Sequence, residues 1–188
     1  TFLPESQART ADLECRVGGE RFFVEVTTMV GSAERQRLPL RGLHLDEAIG
    51  QEEDRGVILI HRVLARIRQK TKQLADYCDP VILGISIPRA DLRGDRATRP
   101  EEIWLDLKML AGTVTVLLTK VSTLSAVLIS LWDVEPLPSK AATRLANVEV
   151  VERPQHQKAQ PRVRLLIQNP LALAALSELQ RDSIGQIL

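Results

Sequence analysis

The amino-acid sequence predicts an α/β fold, a central mixed β-sheet flanked by helices, and three stretches carry that prediction. Over residues 11–28, polar and apolar positions alternate on both sides of Gly18-Gly19, as expected of two half-buried strands joined by a tight turn. Over residues 57–77 the apolar positions recur instead at three- and four-residue steps, the stripe of a helix laid on a sheet. Residues 80–88, PVILGISIP, then form a short apolar run between prolines, which suits a strand buried on both faces. Strand, helix and strand in this order imply a right-handed crossover that sets the third stretch beside the hairpin.

The first strand runs from Asp12 to Val17, and Gly18-Gly19 supplies a turn in which positive φ is tolerated. The second, residues 21–28, is rich in aromatic and β-branched side chains. If Val24 and Val26 point into a core, Phe23, Glu25 and Thr27 share the opposite face. A carboxylate amid a hydrophobic strand is costly to bury without compensation. Glu25 therefore has two readings, a salt-bridged residue at a sheet edge or, with Asp12 on the neighbouring strand, a ligand for a divalent cation. Residues 29–56 read as a loop or a loosely held helix, and their acids, Asp46, Glu47, Glu52, Glu53 and Asp54, as a solvated face.

In the helical stretch Ile60, Val63, Leu64, Ile67, Thr71 and Leu74 form the buried stripe, and Lys70 borders it between Arg66 and Gln73. Positions 62–72 hold Arg62, Arg66, Arg68, Lys70 and Lys72 without one acid. Exposed helices more often pair their charges, so this face suits a polyanion or a nearby carboxylate. Downstream, residues 89–99 read as a modestly basic loop containing Arg89, Arg93, Arg96 and Arg99. Pro100-Glu101-Glu102 opens a helix with Ile103, Leu107 and Leu110 on its apolar face and Gly112 at its end. Residues 113–118 are β-prone, 125–134 form a strong strand, and 136–146 a helix. Residues 148–152 and 162–167 pair as a hairpin, and 171–179 form a terminal helix after Asn169-Pro170.

The chain has 188 residues, 44% of them hydrophobic, which suits one domain over 1–188 with a sizeable core. A formal net charge of +1 requires any nucleic-acid binding to come from local patches. Aromatics make up 3% of the chain, which argues against base-stacking platforms. Cys15 and Cys78 are too few for a disulfide framework or a zinc site, and a reducing cytoplasm fits them. No apolar run reaches membrane-spanning length. His44, His61 and His156 lack ligand spacing. The first residue is Thr1 rather than Met, so residues ahead of it are expected to have been removed or not represented.

The hairpin and the basic helix resemble the core of the PD-(D/E)XK nuclease-like superfamily. Ala11-Asp12 stands where that family has Pro-Asp, and Glu25-Val26-Thr27 stands where it has Glu-x-Lys. More narrowly, Arg66-x3-Lys70-x2-Gln73, and Leu124-Ser125-Ala126-Val127 with the late Asn169-Pro170-x-Ala172, are similar to a set of uncharacterised bacterial nuclease-fold proteins. The resemblance implies a restriction-endonuclease-like fold, usually with a helix ahead of the Asp strand. It implies a magnesium- or manganese-dependent nuclease acting on DNA, with Asp12, Glu25 and the Val26 carbonyl as metal ligands. It also leaves room for an inactive module that binds nucleic acid or protein, because Thr27 replaces the lysine. Lys70 then either supplies the missing ammonium from the helix or lies along the apolar stripe toward solvent. Gln73 is the further catalytic candidate, and Arg62, Arg66 and Lys72 are the candidates for phosphate contacts. The expected partners are nucleic acid and a second copy of the chain, with no membrane.

Overall fold

The computed structural model describes residues 1, 11–29, 52–87, 103–132, 134–136, 145–153 and 160–187. Gly18 and Gly19 have φ of 58° and 89°, the two positive values that a two-residue type I′ turn demands. That turn joins β1 (Leu13–Val17) to β2 (Glu20–Thr28) as an antiparallel pair, with Leu13 opposite Val24 and Val17 opposite Glu20. Helix α1 (Glu52–Thr71) follows, and β3 (Val81–Ile87) returns parallel to β2. A three-residue strand β4 (Ile103–Leu105) leads into α2 (Leu107–Leu118), and β5 (Ala126–Leu131) then lies parallel to β3. After β6 (Val134–Pro136), the strands β7 (Val148–Glu152) and β8 (Val163–Gln168) pair antiparallel, and α3 (Glu178–Ile187) completes the order.

Six strands form one mixed sheet in the order β1-β2-β3-β5-β8-β7, while β4 and β6 pair separately. Among the described residues the fold is α/β, with this sheet flanked by three helices. One face of the sheet carries Phe23, Leu83, Val127 and Ile167 and packs on Ile60, Val63 and Ile67 of α1 and Leu110 and Val114 of α2. The other carries Phe22, Ile82, Ala126 and Leu166 and meets Leu176 and Ile184, the latter from α3. Covering both faces explains why β3 and β5 are almost continuously apolar. The strand alternation of β2 is as expected, but the larger core lies on the Phe23, Glu25 and Thr27 side. Val26 is 48% exposed.

Several boundaries differ from the sequence reading. Helix α1 begins at Glu52, inside the stretch 29–56 that reads as a loop or a loosely held helix, and ends at Thr71. Leu74 completes its buried stripe from the turns that follow. Residues 103–105 are a strand rather than helix, and Asp106 caps α2 by accepting the Met109 N–H at 3.0 Å. Gly112 lies inside α2 without positive φ, so it ends nothing. The β-prone residues 113–118 form the second half of this helix, because burying Val114, Leu117 and Leu118 outweighs the weak helix preference of Thr113, Val114, Thr115 and Val116. The strand read over 125–134 stops at Leu131, and Pro136 belongs to β6 rather than opening a helix.

The terminal helix starts at Glu178, not at residue 171. Ser177 and Gln180 form a reciprocal capping box: Ser177 Oγ accepts the Gln180 N–H and Gln180 Oε1 accepts the Ser177 N–H. The readings of residues 30–51, 89–102 and 137–144, and of His44 and His156, lie outside the described residues. Among the described residues no helix is long and apolar enough to cross a membrane.

Candidate functional site

Glu25 is aimed by the alternation of β2, sharing with Phe23 the face that looks toward α1. Its side chain is 7% exposed. The buried stripe of α1 fixes the rotation of that helix, and its last turn delivers Lys70 to the same point. Lys70 Nζ lies 2.6 Å from Glu25 Oε1, with the lysine side chain 19% exposed. The ammonium therefore turns inward onto the carboxylate instead of running out to solvent. The second oxygen, Glu25 Oε2, is buried and accepts no hydrogen bond among the described residues.

Asp12 immediately precedes β1. The β1–β2 ladder ends with Leu13 opposite Val24, and the register carried one step on sets Asp12 opposite Glu25. Its Oδ2 accepts the Val26 N–H at 2.7 Å. In a strand a residue's N–H and C=O point to the same side, so the Val26 carbonyl also faces the Asp12 side. Ala11, which regular pairing would set opposite Val26, instead donates its N–H to the Tyr77 hydroxyl. Tyr77 is fixed against Phe23 with ring centroids 4.6 Å apart. The sequence reading passed over this tyrosine, although it is the only one in the chain and closes the helical stretch.

Two carboxylates, Asp12 next to β1 and Glu25 in β2, the latter with a buried oxygen still open to a partner, are hard oxygen ligands. They fit magnesium or manganese, since magnesium keeps several waters and takes one or two carboxylates together with substrate phosphate. Among the described residues no group of three or more His, Cys, Asp or Glu gathers that would make an all-protein cage.

The remaining candidates fall around this pair. Thr27 follows Glu25 on the same face and is buried, short and uncharged. Gln73 sits in the turn after α1, its N–H bonded to the Lys70 carbonyl; among the described residues no hydrogen bond joins its side chain to Glu25. Arg62, Arg66 and Lys70 recur at four-residue steps along one flank of α1. Arg66 Nη1 is 3.3 Å from Gln69 Oε1. Lys72 lies past the helix end, exposed and off that line.

A separate cavity of about 570 Å³ is lined by Thr115, Asn147, Gln168, Asn169 and Arg181, far along the sheet from Glu25. Its amides serve the fold: Asn147 Nδ2 bonds Thr115 Oγ1 and the Gln168 carbonyl, and Asn169 Nδ2 bonds the Val121 and Leu124 carbonyls. The same contacts bring the two distant segments, 124–127 and 169–172, together. Set against protein-family models, curated protein sequences and solved structures, the chain matches none of them.

Proposed function

We propose that this chain is a metal-dependent nuclease that hydrolyses phosphodiester bonds, DNA foremost, at a site built on Glu25 and Lys70. The observation that carries the reading is the 2.6 Å contact between Lys70 Nζ and Glu25 Oε1, both largely buried. The order hairpin, basic helix, buried parallel strand supports it, because that is the common core of the PD-(D/E)XK nuclease-like superfamily. In that pattern the lysine follows the glutamate by two residues. Here Thr27 holds that position, and the ammonium arrives from α1 instead.

Asp12, Glu25 and the Val26 carbonyl are the groups that would hold magnesium or manganese. Such an ion, when bound, neutralises charge on the phosphate and lowers the pKa of a water at the site. Lys70 sets a positive charge where negative charge develops on the attacked phosphate. Gln73, in the turn beside Lys70, is the residue to orient the reacting water. Arg62 and Arg66, on the same helix flank, and Lys72 hold backbone phosphates, which positions the substrate without reading its bases. The setting is a reducing cytoplasm in which Cys15 and Cys78 stay free thiols. Incubating the purified chain with labelled single- and double-stranded DNA, first in magnesium and then in manganese, tests the reading. Cleavage that chelation abolishes supports it, and cleavage that persists in excess chelator overturns it.

A second reading rests on the same contact. A closed Glu25–Lys70 pair also fastens α1 to β2, and with Thr27 in place of lysine the chain becomes an inactive module that binds nucleic acid. Calorimetry that detects no divalent binding, alongside salt-sensitive retention on DNA, selects that reading.

A further inference from the structure

We infer that Lys70 is a displaceable internal cation: it neutralises Glu25 when no divalent ion is bound and leaves Oε1 when one binds. The inference rests on the metal-site reading above and adds a regulation of that site by its own lysine.

Three observations carry it. Glu25 Oε1 is already held by an ammonium at 2.6 Å. Glu25 Oε2 is buried with no donor among the described residues, so Lys70 meets only half of what this carboxylate can accept. Asp12 Oδ2 already accepts the Val26 N–H, and the Glu25 oxygen open to a divalent ion belongs to the same carboxylate that Lys70 holds by its other oxygen. Two cations on one largely buried carboxylate repel strongly, because the screening by water is weak there. The lysine has the means to yield. Its stem is unbranched and partly exposed, and it occupies the last turn of α1 with only turns beyond it, so rotation about its own side-chain bonds moves the ammonium without moving the helix. The position it vacates toward is the substrate phosphate, the next anion at the site. The observed pair implies that removing Lys70 strengthens metal binding.

The test uses the whole chain and manganese chloride. Lys70→Met keeps most of the stem and removes the charge, and by calorimetry it binds manganese about tenfold or more tightly than wild type, as release from a like charge at this range implies. Lys70→Arg keeps the charge and does not gain affinity. Wild-type protein supplies a second readout that needs no variant to fold: amine acetylation of Lys70, followed by mass spectrometry, rises several-fold when magnesium is added, while that of exposed Lys72 stays constant. Equal or weaker manganese affinity in Lys70→Met, or Lys70 reactivity unmoved by bound ion, overturns the inference and leaves the metal site standing. If neither wild type nor Lys70→Met binds manganese, the inference and the metal-site reading fall together.

Discussion

Lys70 and Glu25, 45 residues apart in the chain, meet at 2.6 Å across the gap between α1 and β2. The two ends of this contact are not equivalent. Lys70 lies in the last turn of a helix with part of its stem exposed, whereas Glu25 is fixed within the sheet and has no way out. Lys70→Met therefore strands a buried carboxylate and destabilises the protein by about 3 kcal/mol, the lower end for a broken buried pair. Glu25→Gln costs less, since the lysine it releases reaches solvent. Urea denaturation of the two variants measures this asymmetry; equal losses contradict it.

Salt reports on the cations of α1 and of the turn after it. Binding to DNA weakens as salt rises, and Arg66→Ala with Lys72→Ala lowers affinity alike for unrelated sequences. Each lost phosphate contact reduces the slope of log affinity against log salt by about one. Retention unchanged between low and moderate salt removes nucleic acid from the account.

Asn169 holds the junction between the strand pair and the terminal segment. It is buried, donates to the Val121 and Leu124 carbonyls at 2.8 Å each, and accepts from the Leu171 N–H at 3.0 Å. Asn169→Ala leaves buried backbone groups without partners and costs about 2–3 kcal/mol, read as a lowered thermal midpoint. A midpoint within error of wild type shows that water replaces the amide.

The C-terminal helix is tied to the hairpin at its first turn. Ser177 Oγ caps Gln180 and bonds the Glu20 carboxylate, while Gln180 Nε2 reaches the Arg21 carbonyl. Ser177→Ala removes the cap and costs about 1 kcal/mol. The loss appears first as faster amide exchange in α3 and at the hairpin tip, where a Cβ on Gly18 would meet Leu179. Exchange that quickens across the whole sheet instead indicates that α3 does not open separately.

The hairpin, α1, β3 and the β7–β8 pair were legible because each follows one clear period with strong punctuation, Gly18-Gly19 above all. Helix α2 was not. Its Thr113, Val114, Thr115 and Val116 favour strands locally, and only contact with a core assembled from distant strands makes them helical. The terminal helix was read seven residues early because Leu171, Leu173 and Ala174 are good helix formers, while the Ser177-x-x-Gln180 cap that marks its start went unread. At the site, the identity of Glu25 and Lys70 was legible from one unusual strand carboxylate and one lysine on the edge of a stripe. Their contact was not, since it depends on the rotation of α1 against β2. The capping of Val26 by Asp12 was equally hidden, because it arises where the β1 ladder ends.

Single-turnover cleavage of labelled DNA in manganese, run in parallel on wild type, Lys70→Met and Glu25→Gln, tests the Glu25–Lys70 site most directly. Wild type cleaves, Lys70→Met keeps its metal yet loses about 10²–10³ in rate, as removal of one charge-stabilising group does elsewhere, and Glu25→Gln, folded by circular dichroism, neither binds the ion nor cleaves. Cleavage by Glu25→Gln at the wild-type rate would contradict the site outright.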